Sequence, residues 1–485
     1  MSSTDSPSSK TRIAVLGAGP GGYAAAFYAA DLGMDVTLIG EEKNPGGVCL
    51  YRGCIPSKAL LHVAKVIDEA HQASDWGVTF GAPKLDVDKL RAYKDRVVDK
   101  LTSGTGQVAK LRKVQYLQGR ASIVDPKTLR VQKAGGGEET VSADYVILAT
   151  GSHPTRISSL SLDSPRVLDS TGALDLPEIP KTMLVIGGGY IGLELGSVYA
   201  ALGTRVSVVE MTPGLLPGAD RDLVRILSQR AEKVFEKIHL STKVTGMKEA
   251  PGAKASAPAT GVSVSFEGEG APKNQTFDYV LTAIGRRPNA SIDGLDRTKV
   301  KVDAKGFIET DGQRRTGEPT MFAIGDVAGE PMLAHKASHE ARVAVEAIAG
   351  HKAVFEPAAI PAVVFTDPEI AWAGLTEADA AKQGLTVEVA RFPWGASGRA
   401  IAIDRVDGLT KLVIDPRTER ILGVGIVGAG AGELIAEGVL AIEMGATASD
   451  VKLTIHPHPT LTETVMEAAE QFFGQATHVY KPKRK

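Results

Sequence analysis

The sequence predicts an α/β protein with two Rossmann-like βαβ units and an α+β domain at its C-terminal end. A strand-length apolar run, a glycine-rich turn and an alanine-rich helical pattern follow one another near the N-terminus. The same order returns later, with Gly17 and Gly187 lying 187 − 17 = 170 residues apart. Near the C-terminus, short apolar strands, a turn at Pro416 and a helical pattern that stops at Gly445 predict a sheet domain with helices.

Composition places the chain among globular proteins of several domains. It has 485 residues, 43% hydrophobic and 23% charged, enough for about three to four domains. A net charge of −2 gives no bias toward nucleic acid or anionic membranes, and no apolar run reaches the ~18 residues of a membrane span. The polar leader MSSTDSPSSK is unlike a signal or transit peptide, so we expect a cytoplasmic protein with no nucleic-acid or membrane partner.

Each βαβ unit carries a GxGxxG turn. The glycines at this spacing are Gly17, Gly19 and Gly22 in the first unit and Gly187, Gly189 and Gly192 in the second. Such glycines allow a tight turn, a close approach of backbone to pyrophosphate and close packing of helix on strand. A single GxGxxG also occurs for packing alone. Two complete units indicate two dinucleotides, usually a flavin and a nicotinamide whose rings meet for hydride transfer.

The residues after the second strand of each unit indicate the nucleotide. Glu210 follows its strand directly, and its carboxylate can accept hydrogen bonds from a ribose 2′-hydroxyl but repels a 2′-phosphate. The second site is therefore predicted to prefer NAD over NADP. In the first unit Gly40 occupies this place and two acids follow it, of which we assign Glu41 to the ribose.

Both cysteines of the chain lie within six positions, in GGVCLYRGCIPSK. Two cysteines are too few for a disulfide framework, so they are expected to serve chemistry. Because Pro56 favours a helix start, Cys54 is predicted near a helix N-terminus, where the helix dipole and Lys58 favour the thiolate. In a cytoplasmic flavoprotein, we interpret the CxxxxC pair as a redox-active disulfide rather than as two buried thiols.

At these residues the chain resembles the pyridine nucleotide-disulfide oxidoreductase family. GGVCLYRGCIPSKALLH is similar to the active-site stretch, and the form CIPSKALL is most similar to family members that oxidise dihydrolipoamide. DYVILATGSHP and AIGRRPN resemble the segments that bracket the family's NAD domain, and TMFAIGDVAGEPMLAHKASHE resembles its second FAD motif. The resemblance runs from about Arg12 to Tyr480. It departs where Tyr51-Arg52 replaces the common Asn-Val between the cysteines.

The resemblance implies FAD and NAD as cofactors, no metal, and transfer of electrons from a dithiol through the disulfide and FAD to NAD. It implies that Cys49 exchanges with the substrate and that Cys54 contacts the flavin. It places Lys58 near the flavin N5, paired with Glu194. The further cofactor contacts that it implies are Gly119, Asp326 and Ala334 at FAD, Val244 at NAD, and Gly151 and Gly285 in the bracketing segments.

The stretch HPHPTLTETVMEAAEQF offers a base for thiol-disulfide exchange. Exchange needs a group that titrates near neutral pH, which suits histidine. On the residues alone two interpretations stay open, because Thr460-Leu461-Thr462-Glu463 is also the pattern of a helix capping box. The family pattern HxHPTLxE implies that His458 is the base, that Glu463 is its partner beside a Thr460 cap, and that His456 is structural.

The order of motifs predicts four segments. They are an FAD-binding domain at 1–150, an NAD-binding domain at 151–280, a central segment completing the FAD site at 281–350 and a C-terminal dimerisation domain at 351–485. EAPGAKASAPATG is predicted as a surface loop and the basic tail KPKRK as a solvated end. The resemblance implies a homodimer whose active site is shared across the interface. It also implies a lipoylated acyltransferase or a glycine-cleavage carrier protein as partner.

Four other functions compete with this interpretation. Glutathione-type reductases use NADPH, which needs basic residues where this chain has Glu210. Mercuric reductase requires a further cysteine pair, and this chain has two cysteines in total. A soluble transhydrogenase lacks the disulfide, and a non-enzymatic subunit would leave both the disulfide and the histidine unexplained.

Overall fold

The computed structural model describes residues 10–251 and 260–480 of the chain. Residues 1–9 of the leader, residues 252–259 of the predicted surface loop and the basic tail lie outside the described residues. The chain forms two compact units. Of the described residues, the first unit comprises 10–59, 86–155 and 286–356, and the second comprises 60–85, 156–251, 260–285 and 357–480. The four domain boundaries given above stay a prediction.

The helices and strands follow one another in an α/β order. The helices are α1 (Pro20–Asp31), α2 (Gly47–Arg52), α3 (Cys54–Gln72), α4 (Val87–Leu111), α5 (Ser170–Leu174), α6 (Tyr190–Ala201), α7 (Arg221–Val234), α8 (Ala334–Ile348), α9 (Glu377–Lys382), α10 (Gly398–Ala402), α11 (Ala431–Glu443), α12 (Ala448–Leu453) and α13 (Glu463–Phe472). The strands are β1 (Arg12–Leu16), β2 (Asp35–Gly40), β3 (Gln115–Asp125), β4 (Thr128–Lys133), β5 (Glu138–Ser142), β6 (Tyr145–Leu148), β7 (Ser152–Pro154), β8 (Val167–Leu168), β9 (Thr182–Ile186), β10 (Arg205–Val209), β11 (Lys237–His239), β12 (Lys243–Ala250), β13 (Gly261–Glu267), β14 (Asn274–Phe277), β15 (Tyr279–Thr282), β16 (Arg286–Pro288), β17 (Met321–Ala323), β18 (Ala362–Val364), β19 (Glu369–Gly374), β20 (Glu388–Pro393), β21 (Leu409–Ile414) and β22 (Ile421–Gly428).

The first unit is built on a seven-stranded sheet in the order β17-β6-β1-β2-β3-β4-β5. Its strands from β17 to β3 pair in parallel, and β4 and β5 add an antiparallel edge. Helices α1 and α8 pack together over this sheet. Ala25, Ala26 and Ala29 of α1 are fully buried. Their small side chains let α1 lie close against both α8 and the strands of the sheet.

The second unit contains a parallel sheet and two antiparallel ones. The parallel sheet has the order β11-β10-β9-β15-β8, and β12-β13-β14 form a three-stranded sheet beside it. The third has the order β18-β19-β22-β21-β20, and α11 and α13 pack on it. The prediction of a C-terminal sheet domain with helices is confirmed, including the stop of α11 just before Gly445, whose φ of +63° suits glycine.

Both βαβ units form as predicted. In the first, α1 connects the parallel strands β1 and β2, and in the second, α6 connects the parallel strands β9 and β10. The predicted α/β class with two Rossmann-like units and a C-terminal α+β domain is thus confirmed. Within residues 10–251 and 260–480, no helix has the length and apolarity needed to cross a membrane.

Candidate active site

The first and third glycines of each GxGxxG turn are required by backbone packing. Gly17 has a φ of +106° and Gly187 one of +111°, and a Cβ on either would clash with a carbonyl oxygen at a neighbouring strand end. A Cβ on Gly22 would clash with the carbonyl oxygen of Gly17. A Cβ on Gly192 would likewise clash with the carbonyl oxygen of Gly187. These four glycines explain how each helix lies so close to its strand.

The middle glycine of each turn has a different environment. A Cβ on Gly189 would meet no atom within 4 Å, and one on Gly19 would meet only Gly47, at 4.0 Å. Helices α1 and α6 begin directly after these glycines, and neither has a side-chain cap on its first N–H groups. Open space in front of uncapped helical N–H groups fits a pyrophosphate, so both turns fit a bound dinucleotide.

The two cysteines lie on consecutive helices. Cys49 is in α2, and α3 begins at Cys54, which confirms the predicted helix start; Pro56 is the third residue of α3 rather than the first. The pair is a dithiol in this structure. A hydrogen bond with Cys54, followed by burial, raises the pKa of the Cys49 thiol. Cys49 therefore holds its proton more tightly than an ordinary thiol, and this thiol can donate a hydrogen bond to the Cys54 sulfur.

The segment before Cys49 is fixed directly on the first glycine-rich turn. The Gly46 N–H donates to the Ala18 carbonyl over 2.7 Å. Gly47 has a φ of +58°, and a Cβ there would lie 2.5 Å from the Cα of Gly19. Backbone thus lies on backbone, and Cys49 follows two residues later. The segment that carries the cysteines is thus fixed on the first glycine-rich turn.

Tyr23 lies one turn into α1, close to the two thiols. Burial, then the proximity of Cys49 and Cys54, raises the pKa of Tyr23 to about 12. The phenol therefore stays protonated at neutral pH, and no further negative charge develops beside a cysteine thiolate. No local sequence pattern marks this residue, because its place beside the cysteines arises only when Gly47 meets the turn before α1.

The unusual Tyr51-Arg52 pair binds back to the loop that follows β2. The Tyr51 hydroxyl donates to the carbonyl of Asn44 and accepts from its N–H, both over 3.2 Å, and Arg52 forms an ion pair with Glu42. At the end of β2, a Cβ on Gly40 would lie 2.6 Å from the Ala18 side chain, so no acid fits there. The Glu41 side chain is exposed, and its contact with the FAD ribose stays a prediction.

Ser152 joins three of the predicted motifs. Its hydroxyl donates to Asp326 over 2.5 Å and accepts from Arg286 Nε over 2.8 Å, while Arg286 Nη2 donates to the Ser152 carbonyl over 2.7 Å. Ser152 follows Gly151, Arg286 follows Gly285, and Asp326 belongs to the second FAD motif. Asp326 is therefore oriented by Ser152 and, through it, by Arg286, which were not among the predicted site residues although they lie in the motifs DYVILATGSHP and AIGRRPN.

A buried carboxylate holds the turn that carries Asp326. Glu340 is 0% exposed and accepts from the Gly325 N–H over 2.6 Å, from Lys336 over 3.0 Å and from Arg314 over 3.1 Å. Glu340 and Lys336 lie one turn apart on α8, which begins at Ala334. The second FAD motif is thus fixed to the start of α8, where Ala334 is half-buried. Its flavin contact stays a prediction.

Other predicted cofactor contacts lie in the protein framework. Gly119 is buried in β3, where a Cβ would clash with the carbonyl of Gln132 on β4. The Val244 side chain belongs to the buried core of the sheet formed by β12, β13 and β14. Glu194 is buried in α6 and accepts from the Phe365 N–H over 2.9 Å. Their cofactor roles, and the pairing of Glu194 with Lys58, stay predictions.

Glu210 lies at the end of β10, beside the second glycine-rich turn. Its two carboxylate oxygens accept from the Gly188 N–H over 2.7 Å and from the Thr212 N–H over 2.8 Å. Each oxygen keeps a second lone pair, so the carboxylate can still accept from ribose hydroxyls. The protein backbone therefore fixes both the position and the negative charge on which the predicted NAD preference depends.

His458 and Glu463 form a pair at the start of α13. Nδ1 of His458 lies 2.9 Å from Oε1 of Glu463, and the His458 side chain is 70% exposed, with Nε2 as its other nitrogen. The Thr460 N–H donates to Oε2 of Glu463 over 2.8 Å. Burial acts to raise the pKa of Glu463, but the Thr460 and His458 bonds outweigh it and hold this pKa below its usual value. The carboxylate can therefore orient the imidazole and stabilise its cation.

The predicted Thr460 capping box is wrong. Helix α13 begins at Glu463 after Thr462, which makes no side-chain cap bond. The Thr460 hydroxyl instead bonds the Pro457 carbonyl over 2.8 Å and the Thr462 hydroxyl over 2.7 Å. Only the bond from Glu463 to the Thr460 N–H resembles a capping box, so this carboxylate shapes the loop that carries His458.

His456 has both ring nitrogens engaged. Nε2 lies 2.6 Å from Glu437 and Nδ1 lies 2.9 Å from the Thr454 carbonyl, and the side chain is 4% exposed. A ring held at both nitrogens has no free site for proton exchange with a substrate. This geometry suits the structural role that was expected of His456.

Two family models match the chain. The pyridine nucleotide-disulphide oxidoreductase model matches residues 11–341, and the dimerisation domain model of the same family matches residues 360–469. The dihydrolipoyl dehydrogenases of Haemophilus influenzae and Vibrio cholerae are 49% and 48% identical to this chain, and each alignment covers 98% of this chain and 98% of the relative.

Solved structures agree with these sequence matches. The crystal structure of LpdA from Mycobacterium tuberculosis has a TM-score of 0.86 at 25% identity, covering 95% of this chain and 99% of that one. The flavoprotein disulfide reductase RclA of Escherichia coli has a TM-score of 0.83 at 25% identity, again covering 95% of this chain and 99% of that one. The chain is thus similar in fold to flavoprotein disulfide reductases over nearly its whole length.

Ser152→Ala is expected to weaken FAD binding about tenfold, because it removes the hydroxyl that bridges Arg286 and Asp326, a loss of about 1.5 kcal/mol. The measurement is titration of apoprotein with FAD, followed by flavin fluorescence. Ser103→Ala, at an exposed position of α4, is the matched control and should bind FAD as the wild type does. Equal affinities for the two variants would contradict the bridging role of Ser152.

Proposed function

We propose that this chain, which belongs to the pyridine nucleotide-disulphide oxidoreductase family, is a dihydrolipoyl dehydrogenase. It oxidises protein-bound dihydrolipoamide to lipoamide and reduces NAD⁺. The observation that carries the proposal is that the segment carrying Cys49 and Cys54 packs, through Gly47, on the turn of the first dinucleotide unit. The names of the full-length relatives support the dithiol substrate.

The reaction begins when His458 removes a proton from one substrate thiol. In the oxidised enzyme, where Cys49 and Cys54 form a disulfide, the resulting thiolate attacks Sγ of Cys49, the bond between the two cysteines breaks, and Cys54 leaves as a thiolate. The second substrate thiol then attacks the substrate sulfur of the mixed disulfide, and its proton passes to the leaving Cys49 sulfur. This releases lipoamide and leaves Cys49 as a thiol beside the Cys54 thiolate. The chemistry that FAD supplies when bound is the two-electron acceptance that restores the disulfide and reduces NAD⁺. Overall, the substrate dithiol loses two electrons and two protons, NAD⁺ gains a hydride, and one proton is released.

Glu463 prepares His458 for this work. Its carboxylate holds Nδ1, which leaves Nε2 as the nitrogen that takes the substrate proton. The negative charge of Glu463 stabilises the imidazolium formed in that step. The Thr460 N–H fixes the second carboxylate oxygen, so the pair keeps its orientation during proton transfer.

A homodimer is supported by the dimerisation domain match, which includes His458. Large apolar side chains on the neighbouring segments are mostly exposed, namely Leu440, Met444, Leu453 and Ile455. Such a group is typical of a surface that a second copy covers. We place the substrate between His458 and the partner subunit's Cys49, so that each site takes its base from one subunit and its dithiol from the other.

The protein partner is a lipoylated acyltransferase or a glycine-cleavage carrier protein, since both present a dihydrolipoyl group on a protein arm. A steady-state assay with dihydrolipoamide, glutathione disulfide and Hg(II), each with NAD(H) and NADP(H), tests this function against its rivals. Dihydrolipoamide with NAD⁺ should be the fastest pair. Faster turnover of glutathione disulfide with NADPH would overturn the proposal.

Cys49→Ser and Cys54→Ser should each abolish NAD⁺ reduction by dihydrolipoamide while FAD stays bound, because the lost sulfur removes the electron relay and leaves both glycine-rich turns intact. Turnover and the flavin absorbance of the purified variants are measured together. A variant that keeps more than about a tenth of wild-type turnover would count against the relay, since covalent exchange needs both sulfurs.

Glu463→Gln should lower turnover by about two orders of magnitude with little change in thermal stability. The amide can still accept from the Thr460 N–H, but it cannot stabilise the imidazolium of His458. Glu437→Gln, at the carboxylate that binds His456, is the matched control and should keep turnover within about threefold of wild type. Similar losses in both variants would point to a general effect on the loop rather than to catalysis by His458.

Mixing inactive His458→Gln subunits with inactive Cys49→Ser subunits tests the shared site. Each mixed dimer contains one site with an intact His458 and the partner's Cys49. Activity should therefore return, to up to about half of wild type per mixed dimer. Verified subunit exchange with no recovery would refute the shared site while leaving the oxidoreductase function intact.

A further inference from the structure

Lys411 is a buried cation surrounded by three carboxylates. It lies on β21 with its side chain 1% exposed, and its ammonium is 2.7 Å from Asp220, 2.9 Å from Asp222 and 2.5 Å from Glu377. Burial acts to lower the pKa of Lys411, but the hydrogen bonds to these carboxylates outweigh it and raise this pKa above its usual value. The ammonium occupies the centre of the acidic group, so these carboxylates bind a lysine rather than a metal ion.

This cluster fastens α7 to the C-terminal sheet. Asp220 immediately precedes α7, and its carboxylate also accepts from the Glu377 N–H at the start of α9, over 3.2 Å. Beside the cluster, Leu223 of α7 packs on β22, where a Cβ on Gly425 would lie 2.8 Å from its side chain. The start of α7 is therefore held by charge and by close packing.

The start of α7 in turn holds the loop of residues 212–219. Arg221, the first residue of α7, donates to the Leu215 carbonyl over 2.8 Å and also to the carbonyls of Leu216 and Ala219. The Leu216 N–H donates to the Gly188 carbonyl over 3.0 Å. The loop thus lies directly on the second glycine-rich turn.

The same loop and turn hold Glu210. Its carboxylate accepts from the Gly188 N–H and from the Thr212 N–H, which belong to the turn and to the loop respectively. Contacts of 2.7 to 3.0 Å therefore connect Lys411 to Glu210, by way of Asp220, Arg221, the loop and Gly188. The covalent chain joins them where Asp220 precedes Arg221 and where Leu215 precedes Leu216.

We propose that Lys411 is a positioning residue for NAD, which fixes the 212–219 loop and thereby Glu210 at the adenosine ribose. This inference rests on the proposed nucleotide site at Glu210 and not on the identity of the dithiol substrate. A buried ion pair often adds little stability over apolar residues of similar volume, because desolvation offsets attraction. The cluster instead gives the loop one fixed position.

The test measures binding of ADP-ribose to the FAD-loaded dimer by titration calorimetry, since ADP-ribose contains the adenosine ribose but cannot transfer hydride. Lys411→Met is expected to weaken this binding about tenfold and to raise KM for NAD⁺ by a similar factor. The kcat and the KM for dihydrolipoamide should stay within about twofold of wild type, because the cysteines and His458 are untouched.

Asp220→Asn provides a second variant that keeps the shape of the cluster. It should weaken ADP-ribose binding in the same direction while Lys411 stays paired with Asp222 and Glu377, so the test does not depend on Lys411→Met folding. Lys411→Arg, which keeps the positive charge, should restore at least part of the affinity lost in Lys411→Met.

Arg230→Gln is the matched control. Arg230 lies toward the other end of α7 and pairs with Asp68 over 3.8 Å and Asp367 over 4.0 Å, also within the second unit. This variant loosens the same helix away from the 212–219 loop, so its affinity for ADP-ribose should equal that of wild type. Equal weakening by Arg230→Gln, or unchanged affinity in Asp220→Asn, would overturn the positioning role.

Glu210→Ala separates this inference from the nucleotide site itself. It should weaken ADP-ribose binding at least as much as Lys411→Met. If Glu210→Ala binds ADP-ribose like the wild type, the assignment of Glu210 fails and the positioning role of Lys411 fails with it. If Glu210→Ala weakens ADP-ribose binding while the Lys411 and Asp220 variants keep full affinity, the nucleotide site stands and only the positioning role of Lys411 is refuted.

Discussion

The contact between Gly47 and Gly19 is the constraint on which the chemistry of the first unit depends. Two backbones meet there without a side chain between them, and the Gly46 bond to Ala18 fixes their register. Any larger residue at Gly47 would move α2, and Cys49 with it, away from the dinucleotide turn. Because Tyr51 and Arg52 bind the loop after β2, the same segment is held at both ends, which explains how two reactive sulfurs keep one position.

Buried charge is used in the same way in both units. Glu340 in the first unit and Lys411 in the second each lie at the centre of opposite charges, and each contacts a turn or helix start beside a predicted cofactor. A buried charge is costly unless several partners compensate it, so the surrounding groups have few alternative arrangements. The gain is a defined position for Asp326 in one case and for Glu210 in the other.

The features that local residue spacing determines were predictable from the sequence. The glycine turns, the helix start at Cys54 and the stop before Gly445 follow from residues a few positions apart, and all three are present. Ser152 with Asp326, and Lys411 with Asp220, join residues 174 and 411 − 220 = 191 positions apart, and no periodicity encodes such pairs. The predicted Thr460 capping box does not form, because the Thr460 hydroxyl bonds the Pro457 carbonyl in the loop before α13. The sequence pattern left a histidine–glutamate pair and a capping box both open for this stretch, and the folded loop forms the pair of His458 with Glu463 without a Thr460 cap.

The two histidines of the HPH stretch show how one short sequence yields two different groups. Both are paired with a glutamate, His456 with Glu437 and His458 with Glu463, so the pairing alone does not distinguish them. The difference lies in the second nitrogen of each ring. In His456 the second nitrogen, Nδ1, is bonded to the Thr454 carbonyl within a buried site, so this nitrogen cannot reach a substrate unless that hydrogen bond breaks. In His458 the ring is held at Nδ1 while most of the side chain faces outward, which combines a fixed orientation with an accessible nitrogen. A general base needs that combination, and a structural histidine needs its opposite.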